Sequence, residues 1–363
     1  MAEDIFKLLQ SSDGIGRIHT LKRPDFITTN IAVLDRKIFR VGGLPRRKIT
    51  EIWGSENAGK TAHAGIIIAC FQKQYPNEKC IYIDTENAVD VDFFHRLGVD
   101  TSEEKFLYVG TGDIITAGQY IVMGLHDPSV GLIIVDSMAN LELPDNADLT
   151  KFTKKRRGSS AGEVKTWMDR KMADSAGAHT SLAKVVNYHL PYSNAALLYT
   201  NQIKADIGGW APVGGTNDKK GGCHAYKHNV HISIRVTKKA DIYADDKVTI
   251  IGAQFGYSTK NKDTRNKLGQ VFKTDTTNHP IILFDNMYEN LLASSVADRA
   301  IMAGLVRKAG AWLVCEINTK KGKKQLFKVQ GKEKYMELLA SNPGIREKLK
   351  GLVEKREQKK SAN

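Results

Sequence analysis

Residues 54–61 constrain the fold of this chain more than any other segment. A strand-like run, KITEIW, precedes them, and a helix-like apolar run, AHAGIIIACFQK, follows them. Their spacing is GxxxxGK(S/T), with a lysine and a hydroxyl after the second glycine. The segment reads Gly54, Ser55, Glu56, Asn57, Ala58, Gly59, Lys60 and Thr61. A loop between a buried strand and a helix predicts an α/β fold with a ligand site at the carboxyl edge of its sheet.

The composition of this loop predicts that it binds phosphate. Its glycines let backbone N–H groups curl around an anion, and the helix N-terminus adds the positive end of its dipole. Lys60 is expected to reach the β- and γ-phosphate oxygens, and Thr61 to ligate Mg²⁺. We assign the cofactor-binding segment to Gly54 through Thr61, with Ala62 at its end.

Three further strand-like runs end in polar residues. Asp136 follows four aliphatic residues and is the expected second carboxylate of a magnesium site. Glu86, after Asp84, is the candidate to orient or deprotonate an attacking water. Gln202 offers a neutral amide that could sense a γ-phosphate. Each of these residues could also be an ordinary polar strand end, and only their combination with the loop favours the catalytic interpretation.

The order of apolar runs predicts the architecture. Strand-like runs alternate with helix-length segments, a pattern typical of a parallel sheet covered by helices on both faces. Two later runs, 229–236 and 247–254, are expected to extend this sheet in antiparallel fashion. We divide the chain into an N-terminal oligomerisation arm (1–30), an α/β core (31–285) and a small basic C-terminal domain (286–363).

Charge indicates a polyanionic partner. The chain has 54 Lys and Arg against 40 Asp and Glu, a net charge of +14. The excess is concentrated in residues 316–363, and a second basic cluster occupies 151–157. Such runs often form only a solvated surface, but they also fit nucleic-acid binding. No apolar run is long enough for a membrane span and the acidic start is unlike a signal peptide, so a cytoplasmic protein without membrane contact is expected.

Taken together, these segments resemble the RecA family of DNA recombinases. The resemblance extends over nearly the whole chain, and its segments follow the family's order. They are GGLPRRKITEIWGSENAGKT (42–61), DTENAVDVDFFHRLGVD (84–100), LIIVDSMANL (132–141), NQIKADIG (201–208), the glycine pair 221–222, KAGAW (308–312) and QGKEKYMELLASNPGIREKL (330–349).

The resemblance implies an ATP-dependent recombinase with a Walker ATPase core and a small C-terminal α/β domain. Such a protein uses ATP and Mg²⁺, forms a helical filament on single-stranded DNA, and exchanges strands with duplex DNA in recombination, repair and the SOS response. By position, Lys60, Glu86 and Gln202 take the catalytic roles. Asp90 and Phe93 fall where the family contacts adenine, with phenylalanine in place of tyrosine.

The resemblance also implies where DNA and neighbouring subunits bind. Residues of about 142–175 and 203–222 correspond to two DNA-binding loops. Lys260 and Lys262 resemble lysines that reach across a filament interface. The N-terminal arm, with Ile5, Phe6, Leu8 and Leu9, is expected to pack on the next subunit, or alternatively on its own core.

Two other functions share part of this pattern. A ring-forming helicase or motor would have the same phosphate loop and acidic strand end but would unwind a forked duplex. An ATP-gated DNA-binding filament could act as a scaffold with slow turnover. Strand exchange that depends on homology separates a recombinase from both.

Overall fold

A computed structural model describes residues 25–40, 42–144, 161–205, 218–220, 224–259, 265–268, 280–319 and 322–361. The predictions for the arm at Ile5 to Leu9, for Lys260 and Lys262, for about half of the first DNA-binding loop and for most of the second lie outside these residues. Among the described helices, none combines the length and the apolar character needed to cross a membrane.

The strands, in chain order, are β1 (Phe26–Ile27), β2 (Leu44–Pro45), β3 (Ile49–Gly54), β4 (Lys79–Asp84), β5 (Phe106–Gly110), β6 (Val130–Asp136), β7 (Ala196–Ala205), β8 (Asp218–Lys220), β9 (Ile232–Tyr243), β10 (Ile250–Ser258), β11 (Arg265–Asn266), β12 (Ile281–Leu283), β13 (Val306–Ala309), β14 (Trp312–Thr319) and β15 (Gly322–Gln330). The α-helices are α1 (Lys60–Gln74), α2 (Val91–Arg96), α3 (Ile114–His126), α4 (Ala161–His189), α5 (His224–Asn229), α6 (Met287–Met302), α7 (Gly331–Ser341) and α8 (Pro343–Ser361).

A large, mostly parallel sheet forms the centre of the protein. Its order is β12-β10-β9-β3-β7-β6-β4-β5, and the six strands from β9 to β5 run parallel. Every residue of β6 is buried, because α1 packs on one face of the sheet while α3 and α4 pack on the other. The predicted α/β fold class is confirmed.

The direction of β9 corrects one prediction. Strand β9 pairs in parallel with β3, whereas only its partner β10 is antiparallel. Helix α5 lies in the connection between β7 and β9. This connection brings the chain back to the edge of the sheet where β7 begins, so β9 runs in the same direction as β7 and β3. Residues 244–249 between β9 and β10 are too few for a crossover, and a hairpin is the remaining connection.

The C-terminal residues form a second, smaller core. Strands β13, β14 and β15 make an antiparallel sheet, and α6, α7 and α8 pack with it. Met287 and Leu291 in the first turns of α6 belong to the main core, whereas Ala293 and Ala300 belong to the small one. One helix therefore contributes to both cores, and the domain boundary at residue 286 stays a prediction.

Candidate nucleotide-binding site

The predicted phosphate loop connects β3 to α1 in a conformation that requires glycine at position 59. Gly59 has a φ of 88°, and a Cβ there would lie 2.3 Å from the ring of Phe255. Gly54 is equally confined, because a Cβ would lie 2.5 Å from the carbonyl oxygen of Val236. The loop is thus held against β9 and β10 by contacts that any side chain would break.

Lys60 begins α1, and only 9% of it is exposed. Its Nζ donates a hydrogen bond to the Ser55 carbonyl oxygen at 2.9 Å. Burial lowers the pKa of Lys60, while the negative charges of Asp136, Glu86 and Glu56 oppose that shift. An anion that binds beside this buried ammonium group would favour its charged form.

Asp136 accepts hydrogen bonds from three hydroxyl groups. Thr61 Oγ1 lies 2.8 Å and Tyr82 OH 2.7 Å from Asp136 Oδ2, and Thr200 Oγ1 donates to Oδ1. These contacts join α1, β4, β6 and β7 at one point. The sequence predicted Thr61 and Asp136 together but missed Tyr82, two residues before Asp84, and Thr200, two residues before Gln202.

Glu86 and Gln202, two of the predicted site residues, are in direct contact. Gln202 Nε2 donates to Glu86 Oε1 at 2.6 Å, and Asn140 Nδ2 donates to the same oxygen at 2.9 Å. Ser137 Oγ lies 3.3 Å away. The Glu86 carboxylate is exposed and is oriented by amide donors from two neighbouring strand ends.

Asp84 shapes the turn that carries Glu86. The Asp84 carboxylate is 2% exposed and accepts backbone N–H groups of Glu86, Ala88 and Val89 at 3.0 to 3.1 Å. It also accepts the Tyr108 hydroxyl at 3.1 Å. Asp84 therefore positions the turn, while Glu86 faces outward.

A cleft of about 520 Å³ lies over the loop. It collects most of the predicted residues, namely Glu56, Asn57, Gly59, Lys60, Thr61, Ala62, Glu86, Asp136 and Gln202. Gly54, Ser55 and Ala58 do not line it; Gly54 and Ala58 are buried, and Ser55 is exposed. The opposite wall, which the sequence did not indicate, consists of Lys238, Asp241, Ile250, Ala253, Phe255 and Phe284.

Asp90 and Phe93 lie beside the cleft and do not line it. Asp90 caps α2 by accepting the Phe93 backbone N–H at 3.1 Å. The Phe93 ring meets the Phe284 ring edge to face, with centroids 5.2 Å apart. Of these two rings, Phe284 lines the cleft, and adenine contact by Asp90 and Phe93 stays a prediction.

The predicted DNA-binding loops are shorter than the sequence indicated. Residues 161–175 belong to α4 and not to a loop, because the 29-residue helix begins at Ala161. Strand β7 continues to Ala205, and β8 pairs with it in antiparallel fashion. Residues 145–160, 206–217 and 221–222 of these loops lie outside the described part of the chain.

A buried histidine joins residues that flank both predicted loops. His179 Nε2 lies 2.9 Å from the Leu141 carbonyl oxygen, which only accepts, so this nitrogen carries the proton. Nδ1 then accepts the Tyr226 hydroxyl at 2.9 Å. Burial lowers the pKa of His179, which favours this neutral form. No spacing in the sequence indicated the contact.

A known protein family matches most of this chain. The family model described as RecA N-terminal domain matches residues 15–286. Protein RecA of Rickettsia canadensis (strain McKiel) is 26% identical over 358 residues, 97% of this chain and 91% of that protein. Protein RecA of Desulforapulum autotrophicum is 30% identical over 288 residues, 79% of this chain and 72% of that protein.

A third relative, Protein RecA of Pseudomonas fluorescens (strain Pf0-1), is 26% identical over 309 residues, 85% of this chain and 76% of that protein. The family model covers well over half of the chain, and the matched residues include the loop, both acidic strand ends and Gln202. The chain belongs to the RecA family.

Proposed function

We propose that this protein is an ATP-dependent DNA recombinase. It binds ATP in the cleft, forms a filament on single-stranded DNA and exchanges strands with homologous duplex DNA. Family membership supports the ATPase and DNA-binding parts of this proposal. The basic C-terminal residues and the net charge of +14 fit a DNA partner.

The hydrogen bond between Gln202 and Glu86 carries the proposal. At 2.6 Å it joins the candidate water-activating carboxylate to β7. Strand β7 ends at Ala205, where the second predicted DNA-binding loop continues. A shift of Gln202 toward a bound γ-phosphate would thus move the base of that loop. A general ATPase needs no such connection, whereas a DNA-gated one does.

The residues of the cleft fit Mg²⁺. Thr61 Oγ1 and Asp136 Oδ2 are oxygen donors 2.8 Å apart, the ligand type that Mg²⁺ prefers. These two residues would hold the ion, which when bound supplies charge neutralisation for the phosphates. Tyr82 and Thr200 keep the Asp136 carboxylate oriented.

Each catalytic residue has a separate role in this proposal. Lys60 binds phosphate oxygens from the start of α1. Glu86 accepts a proton from the attacking water, since its carboxylate is exposed to the cleft and is held by Gln202 and Asn140. Gln202 contacts the γ-phosphate, and the resulting shift of its side chain moves the end of β7.

Strand exchange between circular single-stranded DNA and a linear duplex tests this function. We expect joint molecules with ATP and a homologous duplex, and none with a heterologous duplex or with Lys60→Ala. Unwinding of a forked duplex without homology dependence would instead indicate a helicase. ATP-dependent DNA binding without joint molecules would indicate a scaffold filament, and either result would contradict the proposal.

A further inference from the structure

Lys238 and Asp241 form an ion pair on the wall of the cleft opposite the phosphate loop. Lys238 Nζ lies 3.0 Å from Asp241 Oδ1 and 3.2 Å from Oδ2. Their side chains are 33% and 23% exposed. Of the described residues that line the cleft, Lys60 and Lys238 are the two with cationic side chains.

The strand register places Lys238 beside the loop. Strand β9 runs parallel to β3, with Arg235 paired to Trp53 at the end of β3. Lys238 lies two residues past the level of Gly54, a rise of about 7 Å along the strand. At that level β3 has ended and the phosphate loop begins.

A β-bulge directs both members of the pair to the same face. Lys238 pairs with Phe255 and Ala240 with Gln254, so Lys239 is the extra residue in β9. Without a bulge, residues three apart would lie on opposite faces of a strand. With it, Lys238 shares the face of Phe255, and Asp241 shares the face of its own partner, Ala253.

That face of β9 and β10 lies against the phosphate loop. Phe255 packs directly against Gly59, since a Cβ on Gly59 would meet its ring at 2.3 Å. Ile234 and Val236, which precede Lys238 on the same face of β9, belong to the core beneath α1. Lys238 is therefore the next residue on this face of β9 after Ile234 and Val236, and it lines the cleft instead of the core.

From this arrangement we propose that Lys238 is a second phosphate-binding cation, supplied by the same chain that supplies the loop, and that Asp241 is the partner it leaves when a nucleoside triphosphate binds. The proposal rests on the proposed function of the cleft. A triphosphate offers several anionic oxygens, and a half-buried ammonium group favours them over a single carboxylate. Until then Nζ stays paired with the Asp241 carboxylate.

Nucleotide binding without DNA tests this inference, with Mg-ATP and Mg-ADP titrated into the full-length protein. We expect K238Q to weaken ATP binding about tenfold, the loss expected for one charge-assisted contact. K239Q is the matched control, because it removes the same charge from the neighbouring exposed residue, and it should bind ATP as the wild type does. D241N should bind ATP as tightly as the wild type or more tightly.

The outcomes separate this proposal from the function on which it depends. Unchanged ATP affinity in K238Q, or equal weakening in K238Q and D241N, would overturn it, since the second result would mean that the pair only stabilises the hairpin. Weakening toward both nucleotides, or toward ATP alone, supports it, and the comparison tells which phosphates Lys238 contacts. If Lys60→Ala binds ATP normally, the proposed function itself is wrong.

Discussion

Replacing Glu86 by glutamine is expected to lower the rate of ATP hydrolysis on single-stranded DNA by roughly 100- to 10,000-fold, the usual contribution of a general base. Glutamine keeps an oxygen that can accept the Gln202 and Asn140 amide groups, so the local geometry should persist. ATP affinity should stay close to that of the wild type, because Glu86 holds the attacking water in this account and not the phosphates. Steady-state phosphate release and a nucleotide titration measure the two effects separately.

Glu103→Gln provides the control for this substitution. Glu103 is exposed and lies outside the cleft, so the same chemical change should leave hydrolysis unaltered. A Glu86→Gln protein that hydrolyses ATP at the wild-type rate would show that another group activates the water. A protein that loses ATP binding as well would show that Glu86 has a structural role.

Acid is expected to destabilise the fold through His63, in the first turn of α1. Its ring is fully buried, with Nδ1 2.7 Å from the Gly59 carbonyl oxygen and Nε2 2.8 Å from Tyr257 OH. The Gly59 carbonyl accepts only, so Nδ1 carries the proton and Nε2 accepts the hydroxyl. Burial lowers the pKa of His63 to about 4 from 6.5.

The sign of this effect follows from the direction of the shift. Below pH 6.5 the unfolded chain binds a proton at His63 that the folded chain does not bind until about pH 4. The free energy of unfolding should therefore fall by about 3 kcal/mol from this group as the pH drops through that range. Between pH 7 and pH 4, the free energy of unfolding of His63→Leu should therefore fall by about 3 kcal/mol less than that of the wild type. Urea unfolding at a series of pH values measures this difference.

The difference between the two proteins isolates His63 from other titrating groups. The pKa of His231 is also lowered to about 4 by burial, and burial raises the pKa of Asp35 to about 7, which acts in the opposite direction. Both contributions cancel in the comparison. His228→Leu, at an exposed histidine, should follow the wild-type pH dependence. Parallel curves for wild type and His63→Leu would contradict the assignment of a buried neutral histidine.

The loop wall of the cleft was predictable because its residues are tied to strand ends. A parallel sheet brings its carboxyl ends to one edge, so finding the runs before Gly54, Asp84, Asp136 and Asn201 suffices to bring their polar neighbours together. The same logic places Glu86 and Gln202 at one edge, although Glu86 follows β4, Gln202 lies on β7, and β6 separates these two strands in the sheet.

The opposite wall was not predictable, because it depends on register and not on residue pattern. The extra residue at Lys239 reverses the alternation of β9, and nothing in the run VTKKADIY marks where that occurs. His63 was missed for a different reason. It is a polar residue within an apolar helical run, and the sequence does not show whether it is buried. Only the fold shows that Gly59 and Tyr257 form hydrogen bonds with both of its ring nitrogens.

ATP hydrolysis with and without single-stranded DNA, over a series of salt concentrations, tests whether Glu86 and Gln202 couple the nucleotide to DNA. We expect strong stimulation by DNA in the wild type, a stimulation that weakens with salt because phosphate contacts release counterions, and no hydrolysis in Lys60→Ala. Hydrolysis that is absent, or that does not respond to DNA, would contradict a site in which Glu86 and Gln202 connect the nucleotide to a DNA-binding segment.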